Sequence, residues 1–159
     1  MTMNCLQAFI GGYLISYGFG ILFNISDRKA LRMAGMTGAI GTFIYQASME
    51  FGFGDYIANF LGSLAFSWFA EIQARRLKKP VTVFSAPALI PLVPGGTVFQ
   101  TLLAFSKNQL FTGLNLSIKC LTISAMLVLG IMVISTIYTL VSKAKRKKEP
   151  DSCEMKSEL

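Results

Sequence analysis

Between Lys79 and Lys107 the chain carries no charge, and the centre of that stretch reads Ser85-Ala-Pro-Ala-Leu-Ile-Pro-Leu-Val-Pro-Gly-Gly-Thr97. It is apolar enough to enter a bilayer, yet Pro87, Pro91, Pro94, Gly95 and Gly96 cannot all sit in one regular helix. Each proline removes a backbone donor and crowds the carbonyl four residues back. A freed backbone group is costly in hydrocarbon, so irregular backbone persists at membrane depth only against protein or a watery cavity. Discontinuous helices of this kind build solute sites in transporters. The plainer alternative is a kinked helix that only packs.

The rest of the chain fits a membrane protein. Of 159 residues, 53% are hydrophobic and only 14% charged, a balance foreign to soluble domains. Apolar blocks alternate with short basic knots at Arg28-Lys29-Arg32, Arg75-Arg76-Lys78-Lys79 and Lys143-Lys145-Arg146-Lys147-Lys148. Basic residues confined to the edges of apolar blocks specify membrane orientation. The net charge of +7 is therefore not read as a nucleic-acid footprint. Histidine is absent, which removes the commonest general base and metal ligand. Cys5, Cys120 and Cys153 have neither metal-site spacing nor an evident disulfide pairing.

The first block, Met3 to Phe23, has the length of about 20 residues that a hydrocarbon core requires. Without a basic leader or a small-residue cleavage site, it reads as a retained helix. Gly12, Ser16 and Gly20 recur every fourth residue, and the second block, Ala30 to Met49, repeats the device with Ala34, Gly38 and Thr42. Such stripes let helices approach closely and are expected here to dock a larger partner subunit. The turn between the blocks offers Ser26 or Asp27 as a helix cap. A third block runs from Tyr56 to about Gln73 and carries Asn59, Ser63 and Ser67 on one helical face. That face either packs on another helix or lines a solute path. After the broken segment, Lys107 to Gly113 reads as a polar connection, and the last block is uncharged from Cys120 to Ser142. The expected fold is all-α, with a transmembrane domain over 1–142 of about five crossings, one of them broken. The charged tail, 143–159, is expected to be disordered.

Enzymatic chemistry finds little support. The acidic residues before the tail, Asp27, Glu50, Asp55 and Glu71, stand at predicted membrane edges, and no two share a helix face inside the bilayer. No catalytic residue, metal site or cofactor is expected. Solute recognition is better supplied. If the helix restarts at Thr97, that hydroxyl suits an N-cap, and the first amides present a positive dipole end to the break. Such an end attracts a carboxylate without a buried lysine. Pro94, Gly95, Gly96, Thr97 and Gln100 are the candidate substrate-binding residues. Thr97 serves equally as a simple cap, and Gln100 equally as a helix–helix hydrogen bond. Ser85 either satisfies carbonyls freed by the prolines or contacts solute, and Tyr45 lies in the outer half of its block. Trp68 reads as an interfacial anchor and Lys119 as a snorkelling cation.

Two elements carry a family resemblance: Gly18-Phe-Gly-Ile-Leu-Phe-Asn24, followed by Arg28 and Ala30-Leu31, and Pro87-Ala-Leu-Ile-Pro-Leu-Val-Pro-Gly95. With them the chain resembles the threonine/serine exporter family over about residues 8–142, specifically the small membrane subunit of its split form. That subunit is similar to the carboxyl-terminal half of the fused exporters. Asn24, Pro87, Pro91, Pro94 and Gly95 match the motifs position by position, Asn24, Pro87 and Pro91 as structural residues. The resemblance implies export of threonine and serine, or of a dicarboxylate such as succinate, alongside a larger membrane subunit. The rival expectation is a non-transporting subunit that stabilises or regulates a partner transporter or channel.

The basic clusters orient the chain as a multi-pass protein of the bacterial cell membrane, with its amino terminus outside and its carboxyl terminus cytoplasmic. Cysteines placed at Arg76 and Lys145 on a cysteine-free background should therefore resist impermeant thiol reagents in intact cells, whereas one at Asp55 should label. Labelling at position 76 would overturn this topology.

Overall fold

The computed structural model describes residues 2–148. Every regular element among them is helical: α1 (Thr2–Leu22), α2 (Arg28–Glu50), α3 (Asp55–Leu77), α4 (Thr82–Leu89), a 3-10 turn (Ile90–Leu92), α5 (Gly95–Ser106) and α6 (Leu110–Lys148). The expected all-α fold is observed. Local chemistry sets the turns. Asn24 adopts a left-handed φ of 55°, its amide reaches Ile21 O at 2.9 Å, and the Ile25 amide reaches Gly20 O at 3.2 Å. This pair of bonds satisfies the last carbonyls of α1, and asparagine is among the few non-glycine residues that accept the conformation readily. Of the two expected caps, Asp27 starts α2, accepting from the Lys29 amide at 2.9 Å.

Small residues fix the packing of α1 on α2. A Cβ on Gly12 would collide with Thr42, and one on Gly38 would overlap Ser16 and lie 3.3 Å from Gly12 O. Thr42 Oγ1 also donates across the interface to Ala8 O at 3.0 Å. The stripes expected to dock a partner are thus consumed within the chain. The reason is sequential adjacency: a short turn delivers the two complementary faces to one another. In lipid, close approach is what associates helices, because hydrocarbon gives apolar surfaces no reason to leave it.

Helices α2 and α3 occupy the middle, with α1, α4 and α6 packed around them. Their buried faces are mostly small or polar, with Ala34, Gly38 and Thr42 on α2 and Asn59, Ser63 and Ser67 on α3, Phe66 being the one large apolar side chain buried on α3. A Cβ on Gly130 of α6 would strike Ser63, so that part of the Asn59–Ser67 face packs on α6. This interior position bears on how many helices are apolar enough to cross a membrane by themselves. By length and apolarity, α1 over Met3–Leu22 and α6 over Leu110–Ser142 can cross a membrane, and the bent α4–α5 pair makes a third if it is one span. That is fewer than the five expected, since helices sheltered by neighbours carry residues chosen for packing instead of lipid.

Two apolar clusters hold the bundle. One gathers Ala30, Ala34, Ala70, Ala74 and Phe84 at the basic end. The other joins Phe66, Ala88, Leu92 and Leu127 at the centre. At the basic end the Lys79 ammonium lies 3.1 Å from Asp27, tying the α1–α2 turn to the α3–α4 turn. The Lys29 amide and then Lys79 hold the Asp27 carboxyl below the usual carboxylate range. The folded carboxyl being the more acidic, the tether contributes fully above the ordinary carboxylate pKa and is lost as pH falls through the depressed value.

The last helix departs from expectation at both ends. Asn108, at φ 62°, turns the chain sharply enough for α6 to begin at Leu110, so the polar connection is shorter than Lys107–Gly113. Beyond Ser142 the helix continues to Lys148, and the rest of the tail lies outside the described residues.

Replacing Gly38 or Gly12 by leucine should lower the thermal midpoint of the purified protein by an amount equivalent to about 1–3 kcal/mol, the usual cost of overpacking. Gly11→Leu, whose Cβ meets nothing within 4 Å, should leave it unchanged.

Candidate functional site

The break in the fourth hydrophobic segment is built residue by residue. Pro87 sits inside α4 and is fully buried. Pro91 falls in the 3-10 turn, after which Val93 becomes extended with ψ 133°. Pro94 follows with φ −74° and ψ 57°, and the Gly95 amide bonds Val93 O at 2.7 Å, the geometry of an inverse γ-turn. Helix α5 then leaves at 49° to the segment before the break. The expected discontinuity is present.

Helix α5 restarts earlier than expected. It begins at Gly95, with Pro94 in the capping position and no side-chain cap. Thr97 is therefore already in the first turn, where its carbonyl accepts from Thr101 Oγ1 at 2.8 Å. Pro94 prevails because its fixed φ starts the turn without a donor. The first helical bond runs from the Val98 amide to Pro94 O at 3.0 Å, and the Gly96 and Thr97 amides find no backbone acceptor among the described residues. Those amides and the dipole behind them make this terminus electropositive.

It opens into a cleft of about 190 Å³ lined by Tyr45, Asp55, Asn59, Pro91, Leu92, Val93, Pro94, Gly95, Gly96, Thr97 and Ile123. Four of the five candidate binding residues are thus brought together. The fifth, Gln100, is exposed on α5 and does not line the cleft. Asn24 stands apart as the turn residue of α1. Gly95 and Gly96 have open space where a Cβ would be built, and neither has a positive φ. They keep the cleft open, and the backbone itself does not demand glycine there.

The cleft has two charges at its edge. Asp55, the first residue of α3, meets the Lys119 ammonium of α6 at 2.5 Å. The Asn59 side-chain amide donates to Asp55 O at 2.8 Å, fixing the first turn of α3. Lys119, expected to snorkel to the interface, instead pairs across the bundle. A signal for this was available, because Asp55 and Lys119 are opposite charges assigned by the crossing pattern to the same membrane edge. Tyr45 joins them from α2, and Ile123 closes the side formed by α6.

Nothing in the cleft suggests a metal centre: no cluster of three or more His, Cys, Asp or Glu occurs among the described residues. The arrangement is that of a polytopic helical membrane protein with a small polar opening at a broken helix, a transporter class. The family described as "Threonine/Serine exporter, ThrE" matches residues 8–137, and the chain belongs to that family. Neither a curated protein nor a solved structure gives a significant match.

Exchanging the ion pair, Asp55→Lys together with Lys119→Asp, should recover most of the thermal midpoint lost by either single change. A double-mutant cycle should give a coupling of about 0.2–1 kcal/mol, the range for partly exposed pairs.

Proposed function

We propose that this chain is the membrane subunit of a secondary exporter for small carboxylate-bearing metabolites, working by alternating access. The observation that carries this reading is the cleft at the α4–α5 break, where unpaired amides of a helix start face solvent beside an Asp55–Lys119 pair. A solute carboxylate would be held by the Gly96 and Thr97 amides. Because the opening is edged by the Asp55–Lys119 pair, whose two charges complement both ends of a zwitterion, threonine or serine suits it better than a dicarboxylate such as succinate. Its volume suits a small metabolite, being below the range of drug-sized pockets.

The reading extends to five crossings, with basic clusters cytoplasmic. Its support is that the two long-range ion pairs fall at opposite ends of α3: Asp27–Lys79 just past its carboxyl end, beside the basic cluster, and Asp55–Lys119 at its amino end. A larger membrane partner is part of the proposal. With the small-residue stripes used internally, the surface available to it is the apolar face of α5 and early α6, where Phe99, Leu102, Phe111 and Leu121 are exposed. That face also keeps alive the second reading, a subunit that supports a partner's transport without binding solute.

Export of labelled serine, threonine and succinate should be measured from cells expressing the chain with and without the product of its neighbouring gene. Gly95→Leu would project its side chain into the open cleft. The variant should insert, keep its thermal midpoint and lose export by about tenfold or more, as misplacement of a bound solute commonly costs. Thr97→Val should be milder. A folded, inserted Gly95→Leu protein with unchanged rate and substrate preference would favour the non-transporting subunit.

A further inference from the structure

The seam that holds the cleft opens again on the other side of the central apolar cluster. There a cavity of about 230 Å³ is lined by Ser67 and Glu71 of α3, Thr82 and Ser85 of α4, and Ser135 of α6, with a valine and two isoleucines completing its wall. Each side of the seam repeats one order. Helix α3 gives Asn59 to the cleft, Phe66 to the cluster and Glu71 to the cavity. Helix α6 gives Ile123, Leu127 and Ser135, and the broken segment gives Thr97, Leu92 and Ser85.

One polar group in this cavity lacks a partner, and a second is held only by one long ion pair. Many helical hydroxyls in the bundle bond the preceding turn: Thr37 to Met33 O and Ser48 to Ile44 O on α2, Ser63 to Phe60 O on α3, and Ser124 to Cys120 O on α6. The Ser67 hydroxyl, on a residue only 4% exposed, bonds nothing. One turn on, Glu71 shares its face, and its carboxylate accepts no side-chain hydrogen bond among the described residues. Its ion pair with Arg75 Nε is long, at 3.8 Å, and engages one edge of the carboxylate. The Arg75 guanidinium is turned outward, donating to Tyr138 O at 3.2 Å and lying over the Tyr138 ring at 4.8 Å. A largely buried carboxylate and several hydroxyl oxygens, with the local arginine shared between Glu71 and Tyr138, form a hard oxygen donor set that complements positive charge.

We propose that this cavity is a cation-binding chamber, taking a small monovalent cation on the Glu71 carboxylate and the Ser67, Ser85 and Ser135 hydroxyls. The cation is an alkali ion or the primary ammonium of a small solute. Its place in a transport cycle rests on the exporter reading, with the Phe66–Leu92–Leu127 cluster separating it from the cleft. The binding itself does not rest on that reading.

The test uses the full chain in detergent, with Cys5, Cys120 and Cys153 replaced by serine and Thr82→Cys introduced at a wall position that is not one of the proposed ligands. Two thiol reagents of similar size are compared, aminoethyl methanethiosulfonate (cationic) and sulfonatoethyl methanethiosulfonate (anionic). Normalised to free cysteine, the cationic reagent should react about tenfold faster, the gain expected of a cleft lined by one sign of charge. Glu71→Gln should remove that preference. Sodium chloride in place of choline chloride, or L-serine, should slow labelling. Protection by sodium alone assigns an alkali ion, and protection by serine alone assigns the ammonium group. Protection by both assigns a chamber that accepts either. Ser67→Ala deletes a hydroxyl bonded to nothing and so keeps the fold. It should raise the concentration needed for protection by about tenfold, a cost usual for disturbing a cation's shell. Protection by neither probe overturns the proposal, as does a reagent preference indifferent to Glu71→Gln or the absence of labelling in the folded protein. Because the assay measures no transport, it can fail while the cleft reading stands, and Gly95→Leu can fail while the chamber stands.

Discussion

The backbone of the α4–α5 break governs the architecture. A chain in hydrocarbon cannot leave amides and carbonyls unpaired unless protein or water takes them up, and Pro87, Pro91 and Pro94 interrupt the pairing repeatedly. The 3-10 turn at the break is accordingly packed against α1, α2 and α3. Leu92 is the wedge: it lies where a Cβ on Gly62 would approach within 2.9 Å and one on Gly41 within 3.3 Å. The glycines of the middle helices make the recess that receives the turn, and the turn in turn aims the start of α5 at the cleft.

That arrangement divides labour among the helices. The long apolar helices α1 and α6 carry large exposed side chains such as Leu14 and Met132 on their outward faces. Close packing and polarity fall to α2 and α3, which can be less apolar because they are covered. Polar side chains in a membrane bundle are tolerated on buried faces, where they meet partners or water. The face running from Asn59 to Glu71 therefore supplies hydrogen bonding to both openings and helix contact between them, at Ser63 against Gly130. The apolar centre between the openings joins Phe66, Leu92 and Leu127, one residue from each side of the seam.

Much of this was legible in the residue order. An uncharged segment crowded with prolines and glycines announces a broken helix because proline's missing donor is a covalent fact, independent of neighbours. Asn24 followed by Asp27 announces a turn and a cap for the same reason, since both act within a few residues of themselves. Four of the five candidate site residues lie together because they are contiguous, and local geometry carries them to one place. Gln100 fails this test: the early start of α5 at Gly95 and its exposure on the helix leave it outside the cleft.

The sequence by itself determined the helical, membrane-embedded character of the chain, the position of the break and, with the family match, the exporter class. Only the tertiary structure decided which surfaces meet. Gly12, Ser16 and Gly20 advertise a close-packing face without naming its partner, and contact with α2 was settled by shape complementarity across a short turn. Asp55 and Lys119 lie 64 positions apart and come together only after α3 and α6 are packed side by side. The lone Ser67 hydroxyl is likewise invisible in sequence, because whether a helical serine bonds its own backbone depends on what stands opposite. Pairing between distant residues is a property of the packed bundle, and no local pattern encodes it.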